Sequence, residues 1–125
     1  MMALAEFSVG AGFILSNVAS SIRRKGDRNI GLHCDQVWHP VPFPDSNLFL
    51  TACWACDDFT LESGATTVVP GSASFRRPPN MEEVATIKRI PIECKAGSIA
   101  VWDGRTWHDN AERSFDGDRA VLHVS

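Results

Sequence analysis

The chain has 125 residues, of which 44% are hydrophobic and 22% charged, and its formal net charge is −3 at pH 7. This length fits one domain with one hydrophobic core, and the composition is ordinary for a globular protein. The acidic balance argues against nucleic acid as a partner, because the only basic cluster, within residues 23–28, is interrupted by Gly26 and Asp27 and is typical of a solvated turn.

The opening residues and the four cysteines bear on location. No apolar run approaches the ~20 residues of a membrane span, and the segment 1–7 lacks basic residues, which makes it a poor signal peptide. Cys53 and Cys56 form a C-x-x-C, which can be a redox motif or half of a zinc site. They lie three apart on a predicted strand, so their thiols should diverge. We interpret the cysteines as small buried side chains and expect no membrane segment and a cytoplasmic location.

In chain order, the sequence predicts a short helix over 1–9, ended by glycines, and then mainly strands. Strands are predicted at 13–22, 33–38, 48–56, 65–69, 87–94, 98–102, 106–110 and 119–124. Between the fourth and fifth strands, Asn80 and Glu83 predict one capped helical turn. Many short strands separated by Gly, Pro and Asp turns indicate an all-β sandwich or barrel, and eight strands in two Greek keys would form a jelly roll.

The third predicted strand, 48–56, is apolar on both of its faces. One face should line the barrel, and the other needs a cover, for which this chain supplies only the short helix at its start. We therefore expect an incomplete domain or a partner on that face, and a homo-oligomer stays open.

His33 and Asp35 are two residues apart, so on an extended backbone both side chains reach the same point. Together with a distant imidazole, His108, they make the 2-His-1-carboxylate triad of non-haem Fe(II) oxygenases. The pattern alone leaves open a surface Asp capping a turn beside a half-buried His. A cupin-type Zn or Mn site is weaker, because it would usually need more imidazoles than the sequence offers.

Three stretches in the same order resemble the phytanoyl-CoA dioxygenase family. They are LHCDQ at 32–36, DFTLESGATTVVPGS at 58–72 and WDGRTWH at 102–108. The resemblance implies a double-stranded β-helix, which is a jelly roll, and an Fe(II)- and 2-oxoglutarate-dependent oxygenase. Because family members are longer, it also implies that residues 1–125 are a single oxygenase core lacking the family's N-terminal helical part.

The resemblance assigns the iron to His33, Asp35 and His108. It places Arg119, eleven residues after the distal His, on the carboxylate of 2-oxoglutarate, and gives Thr66 a supporting contact to the same carboxylate. Asn110 stands where some members have a Ser near the co-substrate, and its amide can also donate to a carboxylate. A planar guanidinium binds a carboxylate through two hydrogen bonds and keeps its charge when desolvated, which favours Arg119 independently. A surface strand arginine is the alternative. Ala73 departs from the family pattern, which usually has His there, although that His is not an iron ligand.

Other residues near the motifs have two readings. Trp102 and Trp107 fit pocket walls or core aromatics, and Gln36 fits a partner of a metal ligand or a turn contact. His39 and His123 are not expected to bind metal.

The resemblance implies hydroxylation of a small organic substrate by O₂, with release of succinate and CO₂. A catalytically inactive, truncated jelly-roll module that binds a metal or a partner is the alternative. The short length favours the inactive module, and the complete triad with Arg119 opposes it. The sequence does not name the primary substrate.

Overall fold

The computed structural model describes all 125 residues, Met1–Ser125, as two antiparallel β-sheets with two short helices. The elements in chain order are α1 (Met2–Val9), β1 (Val18–Arg23), β2 (Leu50–Ala55), β3 (Thr66–Val68), a 3₁₀ turn (Ser72–Phe75), α2 (Met81–Thr86), β4 (Ile90–Pro91), β5 (Ile99–Asp103), β6 (His108–Asn110) and β7 (Arg119–Val124). One sheet has the order β1-β7-β2-β5 and the other the order β4-β3-β6. The all-β jelly-roll prediction is confirmed.

Two hydrophobic clusters form the core. The first joins β2, β5 and β7 with the segment before β3, through Cys53, Ala55, Phe59, Ala65, Trp102 and Val121. The second cluster contains residues that are next to the predicted metal ligands in the chain, and it consists of Leu32, Cys34, Phe43, Val69 and Trp107. Burial alternates strictly along 32–36, with the even positions buried and the odd positions half-buried. The core therefore anchors the residues on either side of His33, whereas the His33 side chain itself lies outside the core.

The prediction of a strand over 33–38 is wrong. Only His33 pairs with another strand, in an isolated bridge to His108, and residues 35–38 form a turn. The turn that begins at Asp35 takes the chain out of the extended conformation, so pairing does not continue beyond His33. Because the alternation of burial survives without the strand, His33 and Asp35 still lie on the same side of the chain.

Two other predicted strands are shorter than expected. β1 begins only at Val18, and the segment 87–94 contributes only the two residues of β4. Pro91 has no N–H to donate, which limits the ladder there. The helix predicted over 1–9 is confirmed as α1. The capped turn is confirmed as α2, where Asn80 and Glu83 form a reciprocal capping box.

The outer face of β2 is only partly covered. α1 lies over it, and an apolar cavity of about 980 Å³ between them is lined by Leu50 and Trp54, among others. Phe7 on α1 remains 89% exposed. A partner on this face stays a prediction. Neither helix has the length and apolarity that crossing a bilayer requires.

All four cysteines are free. Cys53 is buried in the first cluster and Cys56 is exposed, so the thiols of the C-x-x-C diverge as predicted. The interpretation of the cysteines as buried side chains is therefore wrong for Cys56, which points out of the sheet that buries Cys53. Burial raises the pKa of the Cys53 thiol to about 12.

Candidate metal centre

Three side chains converge at one end of the barrel: His33, Asp35 and His108. One ligand atom from each lies within 4.8 Å of the others. Asp35 Oδ1 is 3.8 Å from Nε2 of His33 and 3.5 Å from Nε2 of His108. The backbone explains the convergence, since His33 and His108 exchange both N–H···O bonds, of 3.0 and 2.8 Å, across their bridge.

Backbone carbonyls orient both imidazoles. Nδ1 of His33 lies 2.8 Å from the Gly31 carbonyl oxygen, and Nδ1 of His108 lies 2.9 Å from that of Thr106. A carbonyl only accepts, so each Nδ1 carries the proton and each Nε2 offers its lone pair to the site. Burial lowers the pKa of His108, with an opposing contribution from Asp35. The hydrogen bond to Thr106 fixes which nitrogen of His108 faces the site, whereas burial, which lowers its pKa, favours the neutral form that binds metal.

Thr51 is a further residue of the site that was not predicted from the sequence. Its hydroxyl donates to Asp35 Oδ2 at 2.6 Å, and its side chain lies on β2, 5% exposed. A polar residue in the middle of the apolar run 48–56 was the signal that could have identified it.

The triad opens into a cavity of about 510 Å³ that both sheets line. Arg119 from β7 lines it and is 2% exposed. Its Nε and Nη1 atoms have no hydrogen-bond partner, and its guanidinium lies over the Phe59 ring at 4.3 Å. Burial lowers the pKa of this guanidinium. The alternative of a surface strand arginine is therefore wrong.

The other two residues assigned to the co-substrate lie together. Thr66 on β3 and Asn110 on β6 are paired in register and line the same cavity. The Thr66 hydroxyl donates to Asn110 Oδ1 at 3.4 Å. The amide nitrogen of Asn110 is then the group left to donate to a ligand.

The structure separates the residues that had two readings. Trp102 lines the cavity, with its ring 5.1 Å from that of His108, whereas Trp107 is fully buried in the second cluster. Gln36 makes a turn contact, accepting from the Leu48 N–H at 3.3 Å.

The remaining two histidines lie outside the group of three ligands. Nδ1 of His39 lies 2.8 Å from the Pro40 carbonyl oxygen. His123 lines the cavity but lies against Ser21 and Cys53, at 3.4 and 3.6 Å. Burial, followed by the charge of Arg119, lowers the pKa of His123.

The residues fit a divalent iron and a dicarboxylate. Two imidazole nitrogens and one carboxylate oxygen are the donor set of non-haem Fe(II) oxygenases, in which three metal positions remain for reactants. The guanidinium of Arg119 is a buried cation with two unpartnered nitrogen atoms, beside a cavity large enough for a small ligand. A carboxylate bound against this guanidinium would neutralise its charge and accept hydrogen bonds from it.

Comparisons with known proteins agree with this geometry. The sequence profile of the phytanoyl-CoA dioxygenase (PhyH) family matches residues 6–120. Dioxygenase af480 of Aspergillus fumigatus is 34% identical over 121 residues, which are 95% of this chain and 39% of that protein. The chain thus spans well under half the length of this curated relative.

Solved structures share the fold. HygX from Streptomyces hygroscopicus, solved with nickel and 2-oxoglutarate bound, superposes with a TM-score of 0.79 at 15% identity, over 98% of this chain and 61% of that one. The epimerase SnoN from nogalamycin biosynthesis, described as non-haem and α-ketoglutarate-dependent, superposes with a TM-score of 0.73 at 26% identity, over 98% of this chain and 50% of that one. With its profile matched over nearly all of its length, the chain belongs to the phytanoyl-CoA dioxygenase family.

Proposed function

We propose that this chain is the core of an Fe(II)- and 2-oxoglutarate-dependent dioxygenase that hydroxylates a small organic substrate with release of succinate and CO₂. The observation that carries the proposal is the convergence of His33, Asp35 and His108 beside a cavity that contains the unpartnered guanidinium of Arg119. Family membership, and the 2-oxoglutarate bound in HygX, support it.

The three ligands have distinct roles. His33 and His108 bind the metal through Nε2, because their Nδ1 atoms donate to backbone carbonyls. Asp35 contributes the negative charge through Oδ1, the oxygen that faces both imidazoles. When bound, the Fe(II) and 2-oxoglutarate together supply the oxidising power that transfers an oxygen atom from O₂ to a substrate C–H bond.

The cavity residues position the co-substrate. Arg119 binds its far carboxylate in a site where water is largely excluded, which strengthens the electrostatic attraction. The Asn110 amide donates a hydrogen bond from the opposite sheet, and the Thr66 hydroxyl holds that amide in place. The protein thereby holds the reactants in one orientation.

The alternative is a jelly-roll module that binds metal without turnover. Its support is the exposure of β1, where Val18–Ile22 are all exposed although β1 forms one wall of the cavity. An exposed wall admits water to the cavity, whereas oxygenase chemistry requires a site from which water is excluded.

We infer that the partners are a small-molecule substrate and O₂, that residues 1–125 act as one oxygenase core, and that a homo-oligomer would cover the outer face of β2. The four free cysteines support a reducing, cytoplasmic location.

Removing a ligand tests the proposal directly. The metal-free protein should bind Fe(II) and release succinate from 2-oxoglutarate in air, even without a primary substrate. His33→Ala and Asp35→Ala should abolish metal binding, because each leaves two protein ligands. Isothermal titration with Fe(II) under nitrogen measures the affinity, and succinate is measured by mass spectrometry.

Asp116→Ala is the matched control, because its side chain is 95% exposed, is paired only with Lys25, and is not among the residues that line the cavity. Wild-type metal affinity in Asp35→Ala would contradict the assignment. Tight metal binding with no succinate would favour the inactive module.

A further inference from the structure

The two oxygens of Asp35 have different surroundings. Oδ1 faces Nε2 of His33 and of His108, at 3.8 and 3.5 Å. Oδ2 accepts the hydrogen bond from the Thr51 hydroxyl, at 2.6 Å. Asp35 begins the turn at 35–38 and does not lie in a strand. Its backbone is therefore not fixed by pairing with a neighbouring strand. The hydroxyl of Thr51 is the side-chain contact that distinguishes one oxygen from the other.

Thr51 is better fixed than the carboxylate it contacts. It lies on β2, which has β7 on one side and β5 on the other, and its register partner on β5 is Trp102. It is 5% exposed, and a β-branched side chain has few accessible rotamers. The hydroxyl has a single hydrogen, which is directed at Asp35. The sheet therefore holds the donor, and the donor holds the turn-borne carboxylate.

We propose that Thr51 is a positioning residue that turns Asp35 so that only Oδ1 is presented to the metal. The inference rests on the proposed function. A carboxylate whose second oxygen accepts a short hydrogen bond contributes one ligand atom rather than two. Three protein ligands then leave three positions of an octahedral ion for the co-substrate and O₂, whereas a bidentate carboxylate would occupy one of them.

The test compares the same site with and without the hydroxyl. Thr51→Val keeps the side chain's shape and removes the donor, and Thr51→Ser keeps the donor. Co(II) serves as the probe, since its visible absorption reports both affinity and coordination. We expect Thr51→Val to weaken Co(II) binding about 10- to 100-fold, the usual effect of removing a hydrogen bond to a metal ligand, and to change the absorption spectrum. Thr51→Ser should restore both.

Thr67→Val is the matched control. Thr67 lies on β3, is 6% exposed, and its hydroxyl has no hydrogen-bond partner, so the same substitution should leave Co(II) affinity and spectrum unchanged. If Thr51→Val does not fold, Thr51→Ala against Thr51→Ser repeats the comparison in a smaller side chain, and the same 10- to 100-fold difference is expected.

The outcomes separate this inference from the proposed function. Wild-type protein that binds Co(II), with Thr51→Val equal to it in affinity and spectrum, would show that Thr51 merely tethers the turn, and would leave the proposed function standing. Wild-type protein that binds no Co(II) would overturn both. The same loss in Thr67→Val as in Thr51→Val would attribute the effect to packing and reject the role of Thr51.

Discussion

The side chain of Arg119 lowers the stability of the ligand-free protein but is suited to binding a ligand. It is a cation with 2% exposure, its Nε and Nη1 are unpartnered, and burial lowers its pKa. An unpaired buried polar group costs about 1–3 kcal/mol, and the stacking on Phe59 offsets only part of that. A protein does not retain such a group for its own stability, so we expect the guanidinium to be satisfied by a ligand.

Arg119→Met should therefore raise the stability of the ligand-free protein while weakening 2-oxoglutarate binding. We expect the free energy of unfolding to rise by about 1–3 kcal/mol, and 2-oxoglutarate affinity to fall roughly 10- to 100-fold with Co(II) affinity unchanged, because charged hydrogen bonds contribute ~1.5–3 kcal/mol. Urea unfolding and calorimetric titration measure the two effects.

Arg105→Met is the matched control. Arg105 donates to Asp103 and to two carbonyl oxygens, so its loss should lower stability instead. A destabilised Arg119→Met that still binds 2-oxoglutarate normally would contradict the interpretation of Arg119.

At the residue scale, the sequence predicted the donor set but not its support. The spacing of His33 and Asp35 is local, so the shared side of the chain followed from two residues of backbone. The contact of Thr51 with Asp35 joins residues 16 positions apart. A polar residue within an apolar run marks Thr51, but its partner depends on where β2 passes the turn, and no local pattern encodes that.

At the scale of elements, α2 shows how a surface charge supports the core beside the site. Glu83 accepts from the Asn80 N–H and pairs with Arg77, and Val84 packs against the cluster that contains Trp107. The hydrogen bond from Arg77, followed by that from the Asn80 N–H, lowers the pKa of Glu83 to about 2. The helix that covers Trp107 therefore depends on an ionised carboxylate.

Glu83→Gln should destabilise the protein near neutral pH and much less in acid. Because the pKa in the folded protein lies below the ordinary value of 4.5, the charge stabilises the fold fully above pH 4.5 and progressively less as the pH falls towards 2. The difference in thermal midpoint between wild type and Glu83→Gln should shrink between pH 6 and pH 3. Glu82→Gln, an exposed neighbour with the same charge change, should show little difference at either pH. A difference that is constant over this range would mean that the charge of Glu83 is not the cause.

The same scale shows which elements the sequence could predict. The capping box of α2 is encoded in four consecutive residues, and the apolar run of β2 in one stretch, so both were found. The false strand at 33–38 has alternating burial without a neighbouring strand beyond His33. Alternation records which side is buried, whereas a strand also requires hydrogen-bond partners, and those are set by the whole fold.

For the molecule as a whole, the site is the place where the two sheets meet. His108 belongs to β6 of one sheet, and Thr51 holds Asp35 from β2 of the other. Arg119 from β7 and Thr66 from β3 face the same cavity. Because the hydroxyl that supports Asp35 and the guanidinium that faces the cavity both come from the other sheet, the complete site requires both sheets, and metal binding is coupled to folding.

Metal should therefore stabilise the complete fold. At a free Co(II) concentration of 100 times the dissociation constant, the free energy of unfolding should rise by about 2.7 kcal/mol, visible as a higher thermal midpoint with one cooperative transition. His108→Ala, compared with its own metal-free midpoint, should show no such rise, because two ligands remain. His39→Ala is the matched control, because the His39 ring is hydrogen-bonded to the Pro40 carbonyl and lies outside the triad, and this variant should keep the full rise in thermal midpoint. An equal rise in His108→Ala would place the metal elsewhere on the chain, and a rise limited to one of two separate transitions would show that the sheets unfold independently.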